Sequence, residues 1–281
     1  MKLDIDAFLQ YSTHDKGYSQ NTVAAYRNDL TQMAAFITAE QAKGLIESYD
    51  GLLKSYLLKL REKRYSVATT ARKVASAKSF FKFMVDSGRM KENPTQNLPS
   101  PQVSRHALRF LSLSEYQKLL AEPAKLSTPE AKRDVVMLEL LYATGLRISE
   151  LVSLNVKNID WEQNCVHINS KRQVPFDQRL RLILDKFRRI DRPDLLYDES
   201  EEALFLNRRG TRLTRQGFWQ IIKGYASRAG LGGKVTPQTL RHSFARRKLQ
   251  NGAELRQLQQ LLGHAYISST RVYRQPAPGR G

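Results

Sequence analysis

Through residues 1–100 the apolar positions recur with helical spacing. Ile5, Phe8 and Leu9 mark a short amphipathic stretch. Val23, Tyr26, Leu30, Met33, Phe36 and Ile37 mark a longer one, with Ser19 and Asn21 as candidate caps. Leu52, Leu53, Tyr56, Leu57 and Leu60 continue the pattern, and a fourth helix is expected from Ser66 through Phe80, Phe81 and Met84 to Gly88. Four to five helices of this length predict a small bundle. Three prolines, Pro94, Pro99 and Pro101, then break the pattern, and the polar run Gln102 to His106 follows, so residues 101–110 are expected to link two domains.

The second domain, residues 111–281, opens with helical signals again. Ser112 or Ser114 caps a helix through Leu120, and Pro129 opens a strongly apolar one, Val135 to Tyr142, that ends at Gly145. Arg147 follows on a turn before Ser149, the expected cap of the next helix, with Ile148, Leu151 and Leu154 facing inward and the guanidinium left free. The convincing strand signals are Val166 alternating with Ile168 and Val174 with Phe176, Pro175 placing the second pair on a sheet edge. Lys171 and Arg172 lie in the connection between them. Helices return at Leu180 to Ile190 and at Thr214 to Arg228. The expected fold class is therefore mainly α with a small β-sheet.

The last stretch carries the candidate chemistry. Thr236 followed by Pro237 reads as a helix start, which sets Gln238 and Arg241 on one face of its first turns, where unpaired N–H groups favour an anion. Asn251-Gly252 stops that helix. Leu255, Leu258, Leu261 and Leu262 give the next one its apolar stripe, and Gly263 ends it, leaving His264 on a turn. A short helical pattern from Ile267 to Arg274 carries Tyr273.

Charge narrows the partners. The 281 residues carry a net charge of +19 and a pI near 10.1, a field that attracts polyanions, nucleic acid first among them. A membrane is the other sink for such charge, but no apolar run is long enough to span one and the N-terminus lacks the apolar core of a signal peptide. A single cysteine, Cys165, excludes an internal disulfide and a Cys-rich metal site, and it fits a reducing cytoplasm. The acidic residues Asp194, Asp198, Glu199, Glu201 and Glu202 stand apart from any histidine or cysteine, so no metal site and no cofactor are expected.

The strings ATGLRISELVSL, TLRHSFA and LLGHAYISSTRVY, in that order, resemble the signature boxes of the tyrosine recombinase (phage integrase) family, most closely its Xer-type members, and the likeness runs over nearly the whole chain. The resemblance implies an N-terminal core-binding bundle and a C-terminal α/β catalytic domain that clamp double-stranded DNA between them. It also implies four protomers, of this chain or with a paralogous recombinase, assembled on two DNA sites of the nucleoid. It makes Tyr273 the nucleophile, Arg147, Arg241 and His264 the phosphate ligands, and Lys171 the donor of a proton to the leaving 5′ oxygen, with Arg172 its understudy. It assigns DNA contacts to the fourth helix, where Arg72, Lys73 and Lys78 stand among small residues. Such chemistry conserves bond energy by exchanging a phosphodiester for a phosphotyrosyl ester and needs neither metal nor nucleotide.

The chain departs from the family pattern in three places. Gln238 stands where the family usually has a proton-handling histidine, and glutamine cannot exchange a proton near neutral pH. His242, next to Arg241, reads as structural. The hairpin turn at Lys171 is shorter than the family's usual one, and only RQPAPGRG follows the Val272-Tyr273 pair, a segment unsuited to a subunit-coupling helix, which leads us to expect weak self-association without DNA. Two alternatives stay open: a DNA-binding relative that has lost cutting, and a type IB topoisomerase-like relaxing enzyme.

Overall fold

The computed structural model describes residues 2–43, 48–102, 108–170, 172–232 and 235–274. The chain divides into two compact units, Met1–Arg105 and His106–Gly281. The first holds four helices among the described residues: α1 (Lys2–His14), α2 (Gln20–Ala42), α3 (Tyr49–Glu62) and α4 (Val67–Asp86). Ser19, Ser48 and Ser66 cap α2, α3 and α4, each hydroxyl accepting from a backbone N–H three residues on. Their apolar stripes meet in one core in which Leu30, Ile37 and Leu52 are wholly buried, and Phe80 meets both Phe8 and Phe81 edge-on.

A charged cluster pins α2 to α4. Asp29, 1% exposed, accepts from Lys73 Nζ at 3.0 Å and from the Arg72 guanidinium, and Lys73 also donates to Gln32 at 2.8 Å. Of the residues expected to face DNA, Lys73 is 3% exposed, and Arg72, 41% exposed, turns its head onto the same carboxylate. A buried ammonium without that partner would be costly, so the lysine goes where the aspartate is. Lys78 is half-buried and ion-paired to none of the described residues.

The second unit contains α5 (Leu113–Ala124), α6 (Pro129–Thr144), α7 (Ile148–Ser153), the strands β1 (Ile159–Asp160), β2 (Cys165–Asn169) and β3 (Arg172–Pro175), then α8 (Gln178–Lys186), α9 (Arg215–Arg228), α10 (Pro237–Gln250), α11 (Leu255–Leu262) and α12 (Ser268–Arg271). Ser112 caps α5 in a reciprocal box with Glu115, Thr128 caps α6, and Thr236 caps α10. The centre of this unit is α6, whose Met137, Leu138, Leu140 and Leu141 are all at 0% exposure and which packs against α5 and α10. A π-type turn, Phe187–Asp191, extends α8 and ends near the expected Ile190.

The sheet is an antiparallel meander, β1-β2-β3. Its register pairs Ile159 with Val166 and Val166 with Val174, all three buried, while the pairs Asp160–Cys165 and His167–Gln173 share the other face. Pro175 does lie on an edge strand, where its missing N–H costs no ladder bond. With two residues, β1 is too short to leave a periodic signal. Among the described residues no helix is long and apolar enough to cross a membrane.

Candidate active site

Gly145 closes α6 with φ 63°, and a Cβ there would run into the Phe244 ring of α10, so the glycine is required twice, by conformation and by close approach. Two residues on, Arg147 is itself the cap residue of α7; the expected cap, Ser149, lies inside the helix. Glu150 reaches back to accept from the Arg147 backbone N–H at 2.7 Å, and its other oxygen takes Arg147 Nη1 at 2.8 Å. The guanidinium is thus held rather than free. Its Nη2 donates to the Gly263 carbonyl at 2.8 Å, and the side chain stays 42% exposed.

Glu150 is the hub that sequence reasoning missed as a site residue. Arg172 donates to it through Nη1 at 2.5 Å and to the Leu261 carbonyl through Nε at 3.0 Å, while Arg241 Nη1 lies 4.0 Å away. Burial alone would raise the Glu150 carboxyl, but hydrogen bonds from Arg172 and from the Arg147 backbone outweigh it and hold the group below the usual carboxylate range. Arg172, expected as a DNA contact, points inward here, 10% exposed and paired with Glu150. A signal existed: Glu150 follows Arg147 by one helical turn. Lys171 lies outside the described residues.

Arg241, buried in the first turns of α10, donates through Nη1 to the Gly145 carbonyl and through Nη2 to the Leu262 carbonyl, each at 2.6 Å. The same Nη2 meets His264 Nε2 at 3.1 Å. A guanidinium only donates, so Nε2 is the acceptor, the ring proton sits on Nδ1, and Nδ1 donates to Thr270 Oγ1 at 2.9 Å. Burial, then the neighbouring Arg241, Arg147 and Arg172, lower the His264 pKa to about 4, so the ring is neutral. Burial and then Arg147 bring Arg241 down to about 10.

Tyr273, in the 3-10 turn after α12, is 3% exposed, and its ring lies nearly parallel to His264, centroids 6.4 Å apart. Burial raises its phenol, while Arg241 and Arg147 pull it the other way. Two arginines, a neutral imidazole and a phenol have come together from four separated segments. Three guanidinium groups share one carboxylate here, so the gathering suits an anion.

Residues 109–280 match the phage integrase family, and residues 5–88 match the phage integrase N-terminal SAM-like domain. The chain belongs to the phage integrase family. Among its relatives this tyrosine recombinase is 44% identical to the tyrosine recombinase XerC of Herpetosiphon aurantiacus, over 97% of this chain and 90% of that one. It is 37% identical to the tyrosine recombinase XerD of Listeria monocytogenes, over 96% and 92%. In fold it is similar to the XerH site-specific recombinase bound to palindromic difH substrate, with TM-score 0.71 and 20% identity over 96% of this chain and 91% of the other.

Gln238 of this recombinase is exposed, and its Nε2 lies 3.1 Å from His242 Nε2. An amide nitrogen only donates, so His242 Nε2 accepts that bond. The His242 ring tilts against Tyr273, centroids 5.6 Å apart, and burial, then Arg241, lower its pKa to about 4. The residue expected to be structural thus touches the phenol ring on one side and Gln238 on the other.

Proposed function

We propose that this recombinase cuts and rejoins double-stranded DNA at specific sites through a 3′-phosphotyrosyl intermediate on Tyr273. The convergence of Arg147, Arg241, His264 and Tyr273 supports this reading, with cationic groups in excess around Glu150. Arg147 and Arg241 hold the non-bridging oxygens of the scissile phosphate and offset the charge that grows in the transition state. The Tyr273 oxygen attacks phosphorus and loses its proton to water; the bond to the 5′ oxygen breaks, and that oxygen leaves as a hydroxyl with a proton from Lys171. Rejoining reverses the step, without metal or nucleotide.

The tautomer that this hydrogen bonding implies adds a requirement. Once phosphate takes the Arg241 donor, His264 Nε2 can bond a phosphate oxygen only by carrying the proton itself. A move of that proton from Nδ1 to Nε2, with the Thr270 hydroxyl turning to donate to Nδ1, satisfies both ring nitrogens.

The substrate is duplex DNA of the cytoplasmic nucleoid, drawn by the net charge of +19. Residues 1–100 act as the DNA-clamping domain and residues 111–281 as the catalytic one, and four protomers, alone or with a paralogous recombinase, assemble on two sites. Incubation with a nicked, labelled site followed by a denaturing gel tests the central step. A covalent protein–DNA adduct is expected, absent in Tyr273→Phe although that variant still binds the site. An adduct that survives the substitution refutes the assignment, and relaxation of supercoils without exchange between two sites would replace the recombinase by a topoisomerase-like enzyme.

A further inference from the structure

The sheet's register places three metal-ligating side chains together, away from the site above. Asp160 on β1 is the cross-strand partner of Cys165 on β2, and His167 stands two residues further along β2, so all three project from the face opposite the buried Ile159, Val166 and Val174. Cys165 Sγ lies 3.8 Å from His167 Nε2, which lies 3.3 Å from Asp160 Oδ2, and the three donor atoms all fall within 4.8 Å of one another. Tetrahedral zinc, with ligand bonds of about 2.0–2.3 Å, sets donor-to-donor edges of about 3.3–3.7 Å. Two of the three edges already stand at or near those values.

We propose that Asp160, Cys165 and His167 bind a borderline-soft divalent cation of the zinc class, with water in the fourth position. The surroundings fit such a cation. Asp160 Oδ1 is fixed by the Glu162 and Gln163 backbone N–H groups, at 3.0 and 2.8 Å, which leaves Oδ2 aimed at the site. His167 and Asp160 are partly exposed, so an ion enters from solvent between them onto the buried thiol beneath. Gln173 on β3 lies 3.3 Å from His167 Nδ1, and reversal of its amide gives that nitrogen an acceptor when the metal displaces the proton from Nε2. The imidazole proton moves from Nε2 to Nδ1 and the thiol proton goes to solvent, one released per ion bound. The expectation of no metal rested on the want of Cys-rich and acidic clusters with histidine; a mixed donor set assembled across two strands leaves no such mark. Because β2 and β3 are the paired arms of one hairpin, the ion would staple the root of that hairpin.

Titrating the untagged full-length protein with Co2+ tests the proposal. One equivalent should give the visible bands of tetrahedral cobalt and a thiolate-to-cobalt charge-transfer band, all bleached by Zn2+. Cys165→Ser should lose the charge-transfer band. Asp160→Asn, which keeps the turn acceptor but not the charge, and His167→Gln should each weaken Zn2+ binding about tenfold or more. These two partly exposed positions keep the test valid if the buried cysteine variant folds poorly. A weak octahedral cobalt spectrum without charge transfer, or Zn2+ affinity unchanged in both variants, overturns the proposal.

Discussion

Asp29 in the first unit and Glu150 in the second do the same thing to different ends. Each is a carboxylate set among basic side chains, most of them distant in sequence. Asp29 draws Arg72 and Lys73 of α4 onto α2, and the remaining polar contacts of Lys73 are to Gln32 and the face of Tyr65, so the cluster closes on itself. Glu150 draws Arg147 and Arg172, with Arg241 at 4.0 Å, from a helix start, a strand and a second helix. Main-chain carbonyls of Gly145, Leu261, Leu262 and Gly263 orient those arginines without neutralising them. Positive charge is left over beside a neutral imidazole and a buried phenol. One carboxylate against two cations, closed in by side chains, makes a joint; one against three, beside a neutral imidazole and a phenol, leaves the larger surplus and makes an anion site.

The sharpest way to break the comparison is to remove each carboxylate. Asp29→Ala strands Lys73 as an unpaired buried charge and should cost the first unit about 3–5 kcal/mol, while Asp29→Leu with Lys73→Met should recover most of it. Denaturant unfolding reads both, and adduct formation per folded molecule should not change. A single variant as stable as the parent would remove Asp29 from the role of joint. Glu150→Gln should behave the other way. Its amide oxygen can still accept from the Arg147 backbone, so stability falls less, but the guanidiniums lose their anchor and cleavage should drop by about 10²-fold, with DNA binding undiminished. Unaltered cleavage in that variant would mean that the arginines hold their places without it.

The same contrast shows how far the sequence could be read. Helix starts at Ser66, Ser112 and Thr236 and stops at Gly145 and Gly263 were legible because a cap acts on backbone groups within one turn. The gathering of Arg147, Arg241, His264 and Tyr273 was legible through the family boxes. The fates of the other basic residues were not: Lys73 meets its carboxylate 44 residues away and Arg172 meets Glu150 across 22, and nothing local separates such a lysine or arginine from one that faces solvent. Arg147 displaced Ser149 as cap residue because Glu150, at the third helical position, supplies the acceptor from the other direction.

Acid should divide the two units more gently. His242 and His264 both have pKa values lowered to about 4, by burial first and Arg241 second, against an unfolded value of 6.5. The unfolded chain therefore binds more protons than the folded one between those values. The stabilisation is complete above pH 6.5 and is lost as pH falls toward 4, on the order of 1–2 kcal/mol in all once partial exposure is discounted. The first unit has only the exposed His14 and should hold its stability over that range better. Urea unfolding at pH 7.5 and pH 5 of the parent and of a His242→Gln, His264→Gln double variant measures the difference, and an equal slope in both would remove the histidines from the account.

The smallest effect belongs to Gln238, where the site departs from its family. Its amide holds His242 Nε2 at 3.1 Å, and His242 in turn lies against Tyr273, so the position controls the polar edge of a ring that packs on that phenol. Glutamine supplies the hydrogen bond but cannot exchange a proton. Gln238→His should raise single-turnover cleavage by about tenfold at most and add a titration near neutral pH to its rate profile, because proton removal from Tyr273 gains a group that can take part. A variant that cleaves no faster, with the same pH profile, would mean that positioning and charge already carry the step. The surplus cations around Glu150 would then suffice to activate the phenol without a dedicated base.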